Sequence, residues 1–202
     1  MRGITHGTVF VDWDTARRVA RPDLQRGRTA LHVRALLSLQ DSLAEALHGR
    51  DPHSHYRLAF RLYHGWHRGK TKSVDRLELE RQLSNQPLQR AVKNVSFTPD
   101  LEYGNRLLCG GRRSLLIDTL RRREDGNDEQ KMVDTALVSD LLTFVRSDRT
   151  HLALVVGDDD DLLPGIITAE AWGGRVLLAR VRATDNQHID MTGLICRLRT
   201  TS

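Results

Sequence analysis

The sequence predicts an α/β protein built on a mainly parallel central sheet, and three observations carry that expectation. Thr8 to Asp12, "TVFVD", is a β-branched and aromatic run ending on a carboxylate, the composition of a buried strand. The last third alternates, with "KMVDTALVSDLLTFVR" and "LLPGIITAEAW" at helical spacing and "HLALVVG" and "GRVLLARV" as apolar strands. That alternation is what parallel strands joined by helical crossovers require. Finally, 202 residues of which 39% are hydrophobic suffice for one domain, residues 1–202, with a substantial core.

The remaining elements follow in chain order. After the first strand comes a basic segment holding Pro22 and Gly27, which reads as a loop. Thr29 to His48 repeats apolar residues at helical spacing and Gly49 follows as a stop, so this is a helix. Tyr56 to Trp66, "YRLAFRLYHGW", alternates polar and apolar residues and predicts a second strand. Ser73 to Leu83 predicts a helix with Ser73 as N-cap, and Pro87 closes the unit. "KNVSF" is a candidate short strand, and "NRLLCGGRRSLLIDTLRRRE" is either a hairpin around Gly110 and Gly111 or one irregular strand. "REDGNDEQ" reads as a polar loop or flap. His64, Trp66 and His67 fit a strand-end turn with solvated histidines, or side chains that stack on a nucleic acid.

Composition narrows the function classes. No apolar run approaches the ~20 residues of a bilayer span, and the N-terminus lacks the apolar stretch and cleavage site of an export signal, so a cytoplasmic location is the expectation. Cys109 and Cys196 are too few for a disulfide framework and lack the spacing of a zinc site. The net charge of +5 comes from clustered arginines: Arg17, Arg18, Arg21, Arg26 and Arg28, then Arg112 and Arg113, then Arg121 to Arg123. Guanidinium forks bind phosphate oxygens, so a polyanion such as RNA is the expected partner, with Arg17, Arg18, Arg112 and Arg113 as candidate phosphate contacts. A second copy of the chain or a partner protein is also compatible.

The acidic residues sit where such a sheet concentrates function. Open parallel sheets carry their sites at the carboxyl ends of the strands. Asp12 and Asp14 follow "TVFV", and Asp158 to Asp161 follow "HLALVVG". On the helix from Lys131 to Arg146, Asp134 and Asp140 fall within the apolar arc at roughly 100° per residue, and an inward carboxylate is costly unless paired or metal-bound. Asp134, in the first turn, is assigned to the site. Asp140, roughly 120° around from it, is expected to pair with an arginine or cap a loop. Asp12, Asp134 and one or two of Asp158 to Asp161 then make an oxygen-only cluster suited to Mg²⁺ or Mn²⁺, the cations of metal-assisted nucleases.

"VFVDWDTA", "EQKMVDTALVSDLL" and "LALVVGDDDDLLPGI" resemble, in order, the three signatures of NYN domains, the PIN-like nuclease group. Those signatures are an apolar strand ending in Asp, a "KGVD" helix start followed by "DLL", and a strand ending in "GDxDhxP". The resemblance implies a three-layer PIN-like fold and metal-dependent cleavage of RNA, with Asp12, Asp134 and the third motif's aspartates as metal ligands. Thr15 stands where members commonly have Asn, and Met132 stands where the pattern has Gly. The third motif carries one residue too many: alignment on Gly157 selects Asp158 and Asp160, and alignment on Pro164 selects Asp159 and Asp161. Asp158, directly after the strand, and Asp160 are preferred, so the expected catalytic and metal-binding set is Asp12, Asp134, Asp158 and Asp160.

Two other readings fit parts of the sequence. A haloacid-dehalogenase-type phosphatase would use Asp12 as nucleophile and Asp14 as general acid, but Thr15 comes one place early for its DxDxT pattern and it has no use for the "KMVD" helix. A catalytically inactive RNA- or protein-binding NYN module would keep the fold and the basic face without cleavage.

Overall fold

The computed structural model describes residues 3–17, 31–86, 88–111, 114–181 and 189–191. It is an α/β structure: a mixed, mostly parallel sheet flanked by helices. In chain order the elements are β1 (Ile4–Asp12), α1 (Trp13–Arg17), α2 (Leu31–Arg50), β2 (His55–Tyr63), β3 (His67–Arg68), β4 (Thr71–Lys72), α3 (Val74–Leu83), β5 (Arg90–Val92) and β6 (Val95–Tyr103). They continue with β7 (Leu120–Arg122), β8 (Asp128–Gln130), α4 (Val133–Ser147), β9 (Leu152–Val156), a 3-10 turn (Asp160–Leu162), α5 (Leu163–Ala171), β10 (Arg175–Val181) and β11 (Ile189–Met191).

The main sheet runs β11-β10-β9-β1-β2-β6-β5. The inner pairs are parallel, and each edge is closed by an antiparallel strand, β11 beside β10 and β5 beside β6. β1 is central, and Val9, Phe10 and Val11 are all fully buried because both faces of the sheet are covered. Alternation divides the core: Val9 and Val11 pack with Leu36, Leu39 and Leu43 of α2. Phe10 turns the other way, to Leu137 and Leu141 of α4 and Ile166 of α5.

α3 is capped as the sequence predicts, with Ser73 Oγ accepting the Arg76 amide at 3.3 Å. Between Asn105 and Thr119 neither a full hairpin nor a long strand forms. An isolated bridge joins Arg106 to Leu115, and the Leu107 amide reaches the Ser114 carbonyl at 2.9 Å.

Two expectations are corrected. "REDGNDEQ" is not an unstructured flap: β7 and β8 form an antiparallel ribbon pairing Leu120 with Gln130, Arg121 with Glu129 and Arg122 with Asp128. Its turn is closed by Gly126 at φ +83° and by Asp125, which accepts the Asn127 amide at 2.9 Å. His64 is not a solvated histidine either but is buried against the carboxylates of Asp75 and Asp14; Trp66 is a core residue, and His67 is half-buried. The loop expected over the basic segment after α1 lies outside the described residues. No helix among the described residues is long and apolar enough to cross a membrane.

Candidate metal centre

Asp12 ends β1, in register with Tyr63 at the end of β2, and the adjoining pair Val11 and Val156 brings Gly157 level with it. A Cβ on Gly157 would stand 3.9 Å from that of Asp12 and 2.6 Å from Leu162 Cδ1, so any other residue here would displace the buried Leu162 side chain. Asp12 is held by its own neighbours, accepting the Asp14 amide at 3.2 Å on one oxygen and the Thr15 hydroxyl on the other. Burial pushes its carboxyl above the ordinary range; the Thr15 bond opposes this and the Asp14 charge adds to it.

Asp134 lies in the first turn of α4. It does not face the core, as the helical arc implied, but is exposed in the first turn, while its neighbour Val133 packs against the core. Its carboxyl is also raised, first by partial desolvation and then by the negative charges of Asp12, Asp159 and Asp161. Those three carboxylates therefore share one electrostatic neighbourhood with Asp134.

The four-aspartate run divides by alternate residues. Asp159 caps the 3-10 turn, accepting the Asp161 amide at 2.9 Å. Asp158 and Asp160 turn to β10, where Arg180 meets Asp160 at 2.5 Å and Asp158 at 3.9 Å. Thus Asp158 and Asp160 are matched with a guanidinium, while Asp159 and Asp161 contribute to the negative field at Asp134.

Asp140 is fully buried and belongs elsewhere. It accepts Arg61 Nε and the Tyr63 hydroxyl, each at 2.8 Å, and the Leu108 amide at 2.7 Å. Burial would weaken the Arg61 charge, but Tyr63 and Asp140 outweigh it and hold the guanidinium protonated.

Beside Asp12 lies a constellation the sequence did not disclose. His64, 6% exposed, sets Nε2 at 2.8 Å from Asp75 and Nδ1 at 3.6 Å from Asp14. His32, stacked on Trp13, approaches the other Asp75 oxygen at 3.7 Å. Burial disfavours the charged His64, yet Asp14 and Asp75 prevail and raise its pKa. Burial would likewise raise Asp14, but His64 and Arg17 together hold it far below the usual carboxylate range. The one available signal was placement, since His64 directly follows β2 at the strand end next to Asp12.

Arg17 is engaged in this network, paired with Asp14 and 3.5 Å from Asp75. Its guanidinium therefore serves Asp14 of α1 and Asp75 of α3 in this arrangement. Arg18, Arg112 and Arg113 lie outside the described residues.

The donor set fits a hard divalent cation: the carboxylates are oxygen-only, and Asp12 and Asp134 hold their protons more tightly than free carboxyls because burial desolvates them and nearby negative charge adds to it. Among the described residues no three His, Cys, Asp or Glu side chains already converge closely enough to hold a metal ion. What is preformed is a field of negative charge, not a finished coordination shell. No protein-family profile, curated protein or solved structure matches the chain.

Proposed function

We propose that the chain is a PIN-like, divalent-metal-dependent ribonuclease of the NYN type, with Asp12, Asp134, Asp159 and Asp161 as the acidic centre. The observation that carries this reading is that Asp134, in the first turn of α4, is raised by burial and then by the charges of Asp12 at the end of β1 and of Asp159 and Asp161 beyond β9, so carboxylates from three remote segments meet on the carboxyl edge of the sheet. Within the third motif the reading takes Asp159 and Asp161 in place of Asp158 and Asp160, because Arg180 pairs with Asp160 and approaches Asp158 while Asp159 and Asp161 act on Asp134. A second support comes from Met132, whose backbone is left-handed at φ 63°, at the position where the NYN pattern carries glycine.

Asp12, Asp134, Asp159 and Asp161 would hold Mg²⁺ or Mn²⁺. When bound, the cation would supply charge neutralisation for a phosphodiester under attack and acidify an attacking water. The chain's own work is orientation. Thr15 and the Asp14 amide fix the Asp12 carboxylate, and the amides at the start of α4 favour negative charge near Asp134. The Asp14–His64 pair keeps Asp14 ionised and turned away from Asp12. That arrangement also disfavours the phosphatase reading, in which Asp14 must be a protonated acid.

The test is cleavage of end-labelled single-stranded RNA with Mn²⁺, with Mg²⁺ and with chelator. Metal-stimulated cleavage that disappears in Asp12→Asn and Asp134→Asn, with unchanged circular dichroism, supports the reading. Wild-type activity in both variants rejects it. A module that binds RNA or a partner protein without cleaving is the second reading, favoured by the lack of a converged ligand group among the described residues.

A further inference from the structure

Beside the acidic centre the β7–β8 ribbon, with Lys131, sets the cations Arg121, Arg122, Arg123 and Lys131 among the carboxylates Glu124, Asp125, Asp128 and Glu129. Its two faces are distinguishable. A Cβ on Gly65 would meet Leu120 Cδ1 at 2.7 Å and Gln130 Cγ at 3.3 Å, so Leu120 and its partner Gln130 face inward. Alternation then turns Arg121 and its partner Glu129 outward, together with Arg123 and Lys131. The contacts agree: Arg123 and Lys131 both reach Glu129, at 3.1 and 2.9 Å. Two cations thus hold Glu129 on the outer face, and Arg121 is exposed with no carboxylate partner among the described residues. Glu124 and Asp125, at the turn, share a surface hollow with these cations and with Arg122, leaving four cations to three carboxylates around it.

The ribbon is fixed to the candidate centre from both directions. Gln130 donates through its side-chain amide to Asp14 and accepts the Gly65 amide at 3.0 Å. Lys131, bonded through its amide to the Thr119 carbonyl at 3.0 Å, leads within three residues to Asp134. A neighbouring ribbon, β3–β4, supports it through the Arg68–Asp118 bridge and the Arg68–Asp128 pair.

We infer that the outer face of this ribbon, Arg121, Arg123 and Lys131, is the surface that holds the phosphodiester backbone of RNA and leads it to the acidic centre. The inference rests on the ribonuclease reading for its choice of RNA as the occupant. Fixed guanidinium groups on a two-stranded scaffold suit a run of phosphates spaced along a strand. They also offset the repulsion that the acidic centre would exert on an incoming polyanion. The strand register supplies the selectivity for this face, since a shift by one residue would present Arg122 and Asp128 instead.

The test is fluorescence anisotropy of labelled single-stranded RNA in chelator, over a salt series, with the Arg121→Gln/Arg123→Gln double variant. Arg149→Gln serves as control, an exposed cation beyond the carboxyl end of α4, on the opposite edge of the sheet. The expected result is a loss on the order of ten-fold in affinity at low salt, with the log–log salt slope shallower by about 0.7 for each contact removed. Arg149→Gln should bind as the wild type does. Unchanged affinity and slope in the double variant, equal loss in Arg149→Gln, displacement of RNA by an equal charge of polyglutamate, or no RNA binding by the wild type would each overturn the inference. The two readings fail separately: ribbon-dependent binding without metal-stimulated cleavage rejects the ribonuclease alone, and cleavage with ribbon-independent binding rejects the ribbon alone.

Discussion

Asp140 and Arg61 are joined by an ion pair of 2.8 Å in which the two side chains are 1% and 4% exposed. The pair pins α4 to β2 beneath the acidic centre, and Tyr63 and the Leu108 amide complete the bonding of Asp140. Asp140→Asn removes the buried one of the two carboxylates, the other being the exposed Glu102, that balance this guanidinium, and should cost about 3 kcal/mol. Urea denaturation should show the Arg61→Met/Asp140→Leu double variant recovering most of that loss; a double variant as unstable as the single would contradict this account.

Met132 adopts left-handed backbone at φ 63° immediately before α4, with no side-chain cap on the helix. Met132→Gly should therefore stabilise the protein by about 1 kcal/mol, the cost of holding an L-residue there. The urea midpoint should rise with an unchanged slope. A lower midpoint would mean that the methionine side chain contributes more than the backbone strain removes.

Asp134 is raised in the folded protein by desolvation and by Asp12, Asp159 and Asp161. A carboxyl so raised favours the folded state below its unfolded pKa, near about 4, and loses that contribution as pH climbs through the folded value. At neutral pH the metal-free protein thus carries a penalty. Asp134→Asn should raise its melting temperature without metal and flatten the fall in stability above about pH 4. A lower melting temperature would show that Asp134 is not in a repulsive field.

His64 has the opposite pattern from its partners. Its pKa is raised by Asp14 and Asp75, so its stabilising effect is complete below about 6.5 and fades as pH rises through the folded value. Asp14 and Asp75 are depressed, Asp75 chiefly by its His64 bond, so their contribution holds above about 4 and is lost on acidification. The cluster therefore stabilises most between those limits. Melting curves of the wild type should fall on the alkaline side, and His64→Gln should remove that dependence; an unaltered alkaline limb would show that His64 is neutral throughout.

The parts of this architecture that were legible in the sequence are those where burial imposes a period. β1, β9 and β10 are short apolar runs because both sheet faces are covered, and α2 and α4 repeat at helical spacing because one face is. The ribbon was not legible, because "REDGNDEQ" buries little and its strands are specified by pairing and by the turn at Gly126. The angular separation of Asp134 and Asp140 marked Asp140 as an arginine partner, and Arg61 is that partner, but the wheel also turned Asp134 inward, where the structure exposes it. The division of the aspartate run depended on Arg180, twenty residues downstream of Asp160 and reached through the β9–β10 pairing.

The central claim, that Asp12, Asp134 and the Asp159–Asp161 turn gather around a divalent cation, is tested most directly by soaking crystals in Mn²⁺ and locating the ion by its anomalous signal. The account predicts one or more peaks within about 2.0–2.2 Å of carboxylate oxygens of Asp12 and Asp134, completed by Asp159 or Asp161. A peak held by Asp158 and Asp160 away from Asp12, or no peak at Asp12 under saturating Mn²⁺, would contradict it.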